Sequence, residues 1–154
     1  MTDLLALCAF NARYAHVIDG DTLERWPDFF TERCEYRITH AENEAEGLPA
    51  GIVWADSRAM LQDRIAALRE ANIYERHRYR HVLGVPLVTQ SSEAGVAART
   101  PFMVARIMAT GETQLFATGV YVDRFVSEGG ELKLQSRVAV CDSTVTDTLL
   151  ALPL

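Results

Sequence analysis

The sequence predicts an α+β fold, in which a strongly curved antiparallel sheet is closed on its concave side by about three helices from the first half of the chain. Three observations carry this reading. Helical periodicity of apolar residues is confined to the stretch before Ala71. From Tyr79 onward the pattern changes to a period of two, the signature of strands. Short Gly-containing turns, Thr110-Gly111-Glu112 and Ser127 to Gly130, then join the alternating stretches, and strands joined this tightly run antiparallel.

Leu4 to Ile18 reads as the first helix, with Leu7, Phe10, Tyr14 and Val17 as its apolar stripe. Asp19-Gly20-Asp21 breaks it. Thr22 to Phe30 reads as a shorter second helix whose Trp26, Phe29 and Phe30 anchor a lid over the core, with Pro27 in a first turn or at a break. Cys34 to Thr39 alternates as a strand, Tyr36 and Ile38 on one face and Arg37 on the other. Ala41 to Gly51 is an acidic loop carrying Glu42, Glu44 and Glu46, either solvated surface or a contact for an arginine patch on a partner.

The stretch from Trp54 to Val85 organises the rest. It reads as an amphipathic helix N-capped by Asp56 or Ser57, with Leu61, Ile65 and Leu68 on one stripe. Arg64 falls on the flank of that stripe and is expected to be largely buried and paired. The helix should end near Ala71 and Asn72, because Asn tolerates the left-handed conformation. A strand follows in which Tyr79, His81, Leu83 and Val85 alternate with Arg78, Arg80 and Val82, reaching toward Val88. Gln90 to Ala98 lacks periodicity and reads as a hairpin loop. Phe102 to Met108, Gln114 to Val126 and Leu132 to Cys141 complete the strands. In the second of these Phe116, Val120 and Val122 alternate with Leu115 and Tyr121. Leu149, Leu150, Leu152 and Leu154 form an apolar run at the end, which water would not tolerate exposed. A neighbouring subunit is the expected cover, ahead of the chain's own sheet.

At 154 residues and 49% hydrophobic content the chain reads as one domain, 1–154, with a proper core. A net charge of −6 argues against nonspecific binding to nucleic acid or anionic membranes. No apolar run is long enough for a bilayer span, and the start lacks the basic residues of a signal peptide. Cys8, Cys34 and Cys141 are widely spaced and odd in number, which favours reduced thiols and a cytoplasmic setting. Lys133 is the only lysine. Arginine elsewhere suits bidentate pairs and oligomer interfaces, although a GC-rich genome would write the same bias.

Few chemistries are encoded. His77 and His81 have the spacing of a helical zinc pair, but on a strand rising about 3.3 Å per residue they stand roughly 13 Å apart and cannot share an ion. There is no CxxC spacing, no nucleophile elbow and no glycine-rich phosphate loop. Acid–base chemistry stays open. A curved sheet closed by helices makes a cavity that Tyr14, Asp19, Tyr79 and His81 can line. A stand-alone isomerase or dehydratase, or a small-ligand binding module, with its pocket near Asp19, Tyr79 and His81 is therefore the alternative function.

Three segments carry a resemblance that spans nearly the whole chain: YAHVIDGDTLERWPDFFTERCEYRI (Tyr14 to Ile38), WADSRAMLQDRIAALREANIYERHRYRHVLG (Trp54 to Gly84) and RVAVCDSTVTDTLLALPL (Arg137 to Leu154). Within them stand the pairs Asp63-Arg64 and Arg80-His81. In these residues the chain resembles the small (beta) subunits of Rieske-type aromatic-ring-hydroxylating dioxygenases, above all those of the terephthalate, anthranilate and salicylate types. The resemblance implies a cystatin-like cone, the fold shared with nuclear transport factor and scytalone dehydratase. It implies a mainly structural role in an enzyme that cis-dihydroxylates an aromatic carboxylate, in a hexamer of three large and three small subunits. The Rieske iron–sulfur cluster and the mononuclear iron would belong to the large (alpha) subunit. The small subunit would hold no cofactor, no metal and no catalytic centre. Its contributions would then be contacts, with Arg64, Arg76, Arg78, Arg80, His81, Arg137, Leu149, Leu150, Leu152 and Leu154 as the interface or structural candidates.

Overall fold

The sheet of the computed structural model, which describes residues 3–46, 53–71, 76–143 and 152–154, is built from seven strands. They are β1 (Phe30–His40), β2 (Val53–Ser57), β3 (His77–Leu83), β4 (Leu87–Ser92), β5 (Gly95–Met108), β6 (Thr113–Glu128) and β7 (Glu131–Cys141). Their order is β2-β1-β7-β6-β5-β3, with β4 also paired to β5. All pairings are antiparallel except β1 with β7, which is parallel. Register shifts interrupt several of these ladders. Such bulges bend long strands, and here they curve the sheet into a cone. The helices, α1 (Leu4–Asp19), a 3-10 helix (Leu23–Phe29), α2 (Ala41–Ala45) and α3 (Arg58–Glu70), all come from the first half.

Helix α1 starts where Asp3 accepts from the Ala6 N–H at 2.6 Å. Leu7, Phe10, Asn11, Tyr14, Ala15 and Ile18 make its buried face, at the three-and-four spacing of one helical stripe. Val17 is only half-buried, and Ile18 takes its place. Phe10 meets Phe125 edge-on at 5.1 Å and Tyr14 meets Tyr121 at 6.2 Å, which seats the helix on β6. Trp26 and Phe30 are fully buried against Tyr36 of β1. Ser57 caps α3 by accepting from the Met60 N–H at 3.2 Å, and Leu61 and Ile65 go into the core.

Several boundaries differ from the sequence reading. The second helix is 3-10 with Pro27 inside it; the ring removes a donor that an α-helix would need there. The first strand begins at Phe30 rather than Cys34, and the acidic stretch opens with the one-turn α2. Trp54 to Ser57 belong to the strand β2, with Trp54 paired opposite Arg37, while α3 starts at Arg58 behind the expected Ser57 cap. Ala71 closes α3 in an extended conformation rather than a left-handed one, and Asn72 lies outside the described residues. Gln90 to Ala98 is no loop but the turn and flanks of the β4–β5 hairpin. Pro86 separates β3 from β4 because proline cannot donate to a ladder. Pro101 sits where β5 changes partner from β4 to β3, with its carbonyl accepting from the Gly84 N–H at 2.8 Å. In β6 the core face toward its end is Gly119, Tyr121, Asp123 and Phe125, not Val120 and Val122. The register skips Phe116, with Val104 opposite Ala117 and Ala105 opposite Leu115. That one extra residue inverts which parity faces inward.

Gly119 shows how tightly the cone closes. A Cβ there would run into the Val140 carbonyl and the Phe102 ring. Gly119→Ala should therefore cost at least about 1–3 kcal/mol by overpacking, seen as a lowered midpoint in urea denaturation.

Candidate functional site

The polar centre of the cone is Arg137, which stands on β7 directly opposite Asp123 on β6. Its Nε and Nη2 donate to the two Asp123 oxygens at 2.8 Å each. The same Nη2 donates to Oδ1 of Asn11 on α1 at 2.6 Å. The guanidinium carbon lies 4.3 Å from the Tyr14 ring centre and 4.0 Å from that of Tyr121, so both rings are within cation–π range. Neither Arg137 nor Asp123 exposes any side-chain surface. Burial acts against the Arg137 charge, yet the Asp123 carboxylate outweighs it and holds the arginine above its ordinary pKa.

A second pair closes the edge of the sheet. Asp19, the last residue of α1, accepts from the His81 N–H at 2.8 Å and holds His81 Nδ1 at 2.7 Å. Strand β3 is an edge, and Asp19 covers a backbone donor that would otherwise lie open to pairing. Nε2 of His81 is buried without a hydrogen-bond partner. Arg80 stays largely exposed, 4.0 Å from Asp19. A cleft of about 340 Å3 beside the pair is lined by Asn11, Ala15, His16, Asp19, Arg80 and His81. The Tyr79 ring lies between His77 and His81, 5.5 and 6.0 Å from them. Among the described residues no cluster of His, Cys, Asp or Glu is placed to hold a metal ion, and no helix is long and apolar enough to cross a membrane.

Residues 152–154 supply the third feature. Leu152 and Leu154 are buried in the chain's own core, 5% and 1% exposed. This corrects the expectation that a neighbouring subunit covers them: the cone's interior already does. Leu149 and Leu150 lie outside the described residues. The Leu154 main-chain oxygen accepts from the Tyr14 hydroxyl at 2.9 Å and the Tyr36 hydroxyl at 3.1 Å. The Leu154 N–H donates back to the Tyr36 oxygen at 3.0 Å, and Tyr79 donates to the Leu152 oxygen at 3.5 Å. Burial pushes the Tyr14, Tyr36 and Tyr121 phenols up. It also pushes the Cys34 and Cys141 thiols up to about 11, which leaves them unreactive.

The structure thus brings Asp19 and His81 together and places Tyr79 beside them. Arg137 is internal. Arg76, Arg78 and Arg80 are exposed. Arg64 is half-buried, less than expected, and its charge acts on the Tyr36 phenol. Asp123, Asn11 and Tyr121 went unrecognised from sequence. One signal was available for Asp123: counting outward from the Gly129-Gly130 turn brings it within one residue of Arg137, and the register shift at Arg124 supplies that residue.

Residues 1–138 match the SnoaL-like domain family. Over all 154 residues of both chains, this one is 61% identical to terephthalate 1,2-dioxygenase, terminal oxygenase component subunit beta 1, of a Comamonas species. It is 37% identical to the anthranilate 1,2-dioxygenase small subunit of Burkholderia cepacia, across 92% of this chain and 88% of that one. A crystal structure of the beta subunit assigned to an aromatic-ring-hydroxylating dioxygenase of Novosphingobium aromaticivorans superposes with a TM-score of 0.90 at 39% identity, covering 98% and 96% of the two chains. The class is the SnoaL-like, nuclear-transport-factor-like cone. Within it, the chain belongs to the small (beta) subunits of aromatic-ring-hydroxylating dioxygenases.

Two measurements check this interior. Removing one partner of a buried ion pair strands the other charge, so Asp123→Ala and Arg137→Ala should each lose about 3–5 kcal/mol in urea denaturation. The raised phenols set a pH limit. Below the ordinary tyrosine value of 10.0 both states keep their protons and nothing is lost. Above it the unfolded chain releases protons that the native one retains, so stability falls as pH rises further. Spectrophotometric titration should show the phenolate signals of Tyr14, Tyr36 and Tyr121 emerging only together with unfolding; reversible ionisation in the folded chain would contradict their burial.

Proposed function

We propose that this chain is the structural subunit of a terminal oxygenase that cis-dihydroxylates terephthalate or a closely related aromatic carboxylate. The carrying observation is the 61% identity, end to end, with a terephthalate 1,2-dioxygenase beta subunit. The interior supports a contact role. It is occupied by an ion pair and by the chain's own residues 152–154, and the Asp19–His81 pair is engaged in holding α1 to β3. In this reading the partner is a large (alpha) subunit bearing a Rieske cluster and a mononuclear iron, assembled three-plus-three in the cytoplasm. The small subunit is a single domain with no cofactor of its own. Its contact surface would include Arg76, Arg78 and Arg80 with exposed Val82, Met103 and Leu115 on the outer side of the sheet. Val82 and Met103 are opposite one another in the β3–β5 ladder. A mixed apolar and arginine surface suits a protein partner.

The test is coexpression of the tagged chain with the large-subunit reading frame. The expected result is a complex with Rieske absorption that consumes oxygen with terephthalate, while the chain alone neither absorbs in the visible nor turns over aromatic acids. Turnover by the isolated chain, abolished by Asp19→Asn without loss of fold, would favour a stand-alone isomerase or dehydratase instead.

A further inference from the structure

We infer that copies of this chain bind one another through the outer face of the sheet, where Arg76, Arg78 and Arg80 at one edge take the carboxylates of Glu42 and Glu46 near the opposite edge of a second copy. The inference rests on the outer contact surface of the subunit role proposed above and names its occupant. Tyr79 and His81 turn into the core, so Arg78 and Arg80 face outward. Arg76 falls on the same face, its carbonyl continuing the ladder by accepting from the Ala109 N–H at 3.0 Å. The three cations follow one another at about 7 Å along the strand. Their cross-strand neighbours bring no counter-charge: Ile107 stands opposite Arg78 and Ala105 opposite Arg80. Among the described residues Arg76 and Arg78 have no ion-pair partner. Arg80, its side chain 64% exposed, comes only within 4.0 Å of Asp19, which is already bonded to His81. A row of like charges this close repels itself, and a pair of carboxylates relieves it.

The acidic stretch supplies such a pair. Tyr36 and Ile38 fill the core, which leaves Arg37 on the outer face of β1, and Arg37 holds Glu44 of α2 at 3.5 Å. Glu42 and Glu46, two residues to either side, turn away from that contact. They lie four apart on the helix, about 5–6 Å between Cβ atoms, a spacing close to that of neighbouring arginines on the strand. Both are exposed, and among the described residues neither carboxylate has a partner. Trp54 stands beside them, opposite Arg37 in the ladder and 52% exposed. The arginine edge carries Val82, Met103 and Leu115, so each patch joins charge to exposed apolar surface, as interfaces do. One copy cannot bring its own two patches together. The strands β7, β6 and β5 lie between β1 and β3, roughly 19 Å along the sheet. Two different patches that meet between copies make a heterologous contact, which closes into a ring, as three small subunits would.

The test is sedimentation velocity of the full chain over a range of concentrations, at low and high salt, with circular dichroism to report the fold. The parent chain should associate reversibly, and more weakly at high salt. Arg78→Glu with Arg80→Glu, and separately Glu42→Arg with Glu46→Arg, should each weaken association at least about tenfold. A chain carrying all four changes should regain it, because the charges match again. Of the two tryptophans Trp26 is buried and Trp54 exposed, so acrylamide quenching of the parent chain should rise on dilution. A parent chain that stays monomeric at every concentration would overturn the proposal, as would a four-change chain that associates no better than either pair. The positions are exposed, so the fold should be kept; if a reversed pair does not fold, Arg78→Gln with Arg80→Gln is judged by the same loss. Capture of a coexpressed large subunit separates this contact from the role proposed above. Reversals that release the large subunit while self-association persists would overturn the contact and leave the subunit role standing. Self-association that responds to the reversals, in a chain that never captures a large subunit, would support the contact and overturn the subunit role.

Discussion

A guanidinium without exposed surface sits where helix α1 meets the sheet, and the interior is arranged around keeping it charged. Desolvating Arg137 is costly, and attraction to Asp123 offsets that only with good geometry. Asp123 on the neighbouring strand accepts two bonds, Asn11 on α1 accepts one, and the rings of Tyr14 and Tyr121 lie against the guanidinium, while its Nη1 is buried without a hydrogen-bond partner. Asn11 and Tyr14 lie one helical turn apart, so satisfying the arginine also sets the rotation of α1 about its axis. The Asp123–Arg137 pairing sets the register of β6 against β7. A slip of one residue in either strand would turn its charge out of the cone, strand the other inside and carry apolar neighbours to the wrong face.

The other polar contacts inside the cone depend on that placement. Once Tyr14 stacks on Arg137, its hydroxyl points to the Leu154 oxygen, where Tyr36 meets it from the opposite wall. About two and a half turns of α1 separate Phe10 from Asp19, so the helix that seats Phe10 on Phe125 also delivers Asp19 to His81 at the sheet edge. Asp19 is bonded to the His81 ring and backbone, and Tyr79 to Leu152. The same Asp, His and Tyr residues that suggest acid–base work in a linear reading also tie α1, the edge strand and residues 152–154 together, and Nε2 of His81 is left without a hydrogen-bond partner.

Much of this architecture is written locally. The Ser57 cap, the Leu61–Ile65 stripe, the glycine turns at Gly111 and Gly129-Gly130, and the alternation from Tyr79 to Leu83 all follow from geometry within a few residues, and all are present. The segments that failed locally did so for local reasons of another kind. A bulge at Phe116 inverted the parity of β6, a proline divided β3 from β4, and the short β2 gains its order from β1 rather than from its own five residues.

By itself, then, the sequence determined the α+β class, the order of the long elements, the inward faces of α1, α3 and β3, and the subunit family. Periodicity and capping depend on neighbours three or four residues away, and the family lies in segments that any comparison can read. Only the tertiary structure decided that β1 lies parallel to β7, that Leu152 and Leu154 fill their own cone, and that Arg137 is an internal charge rather than an interface one. Those outcomes rest on bonds between residues 14, 126 and 140 positions apart. Whether an arginine or a leucine is buried inside its own subunit or against another depends on which distant groups the fold brings to it, and no local pattern carries that information.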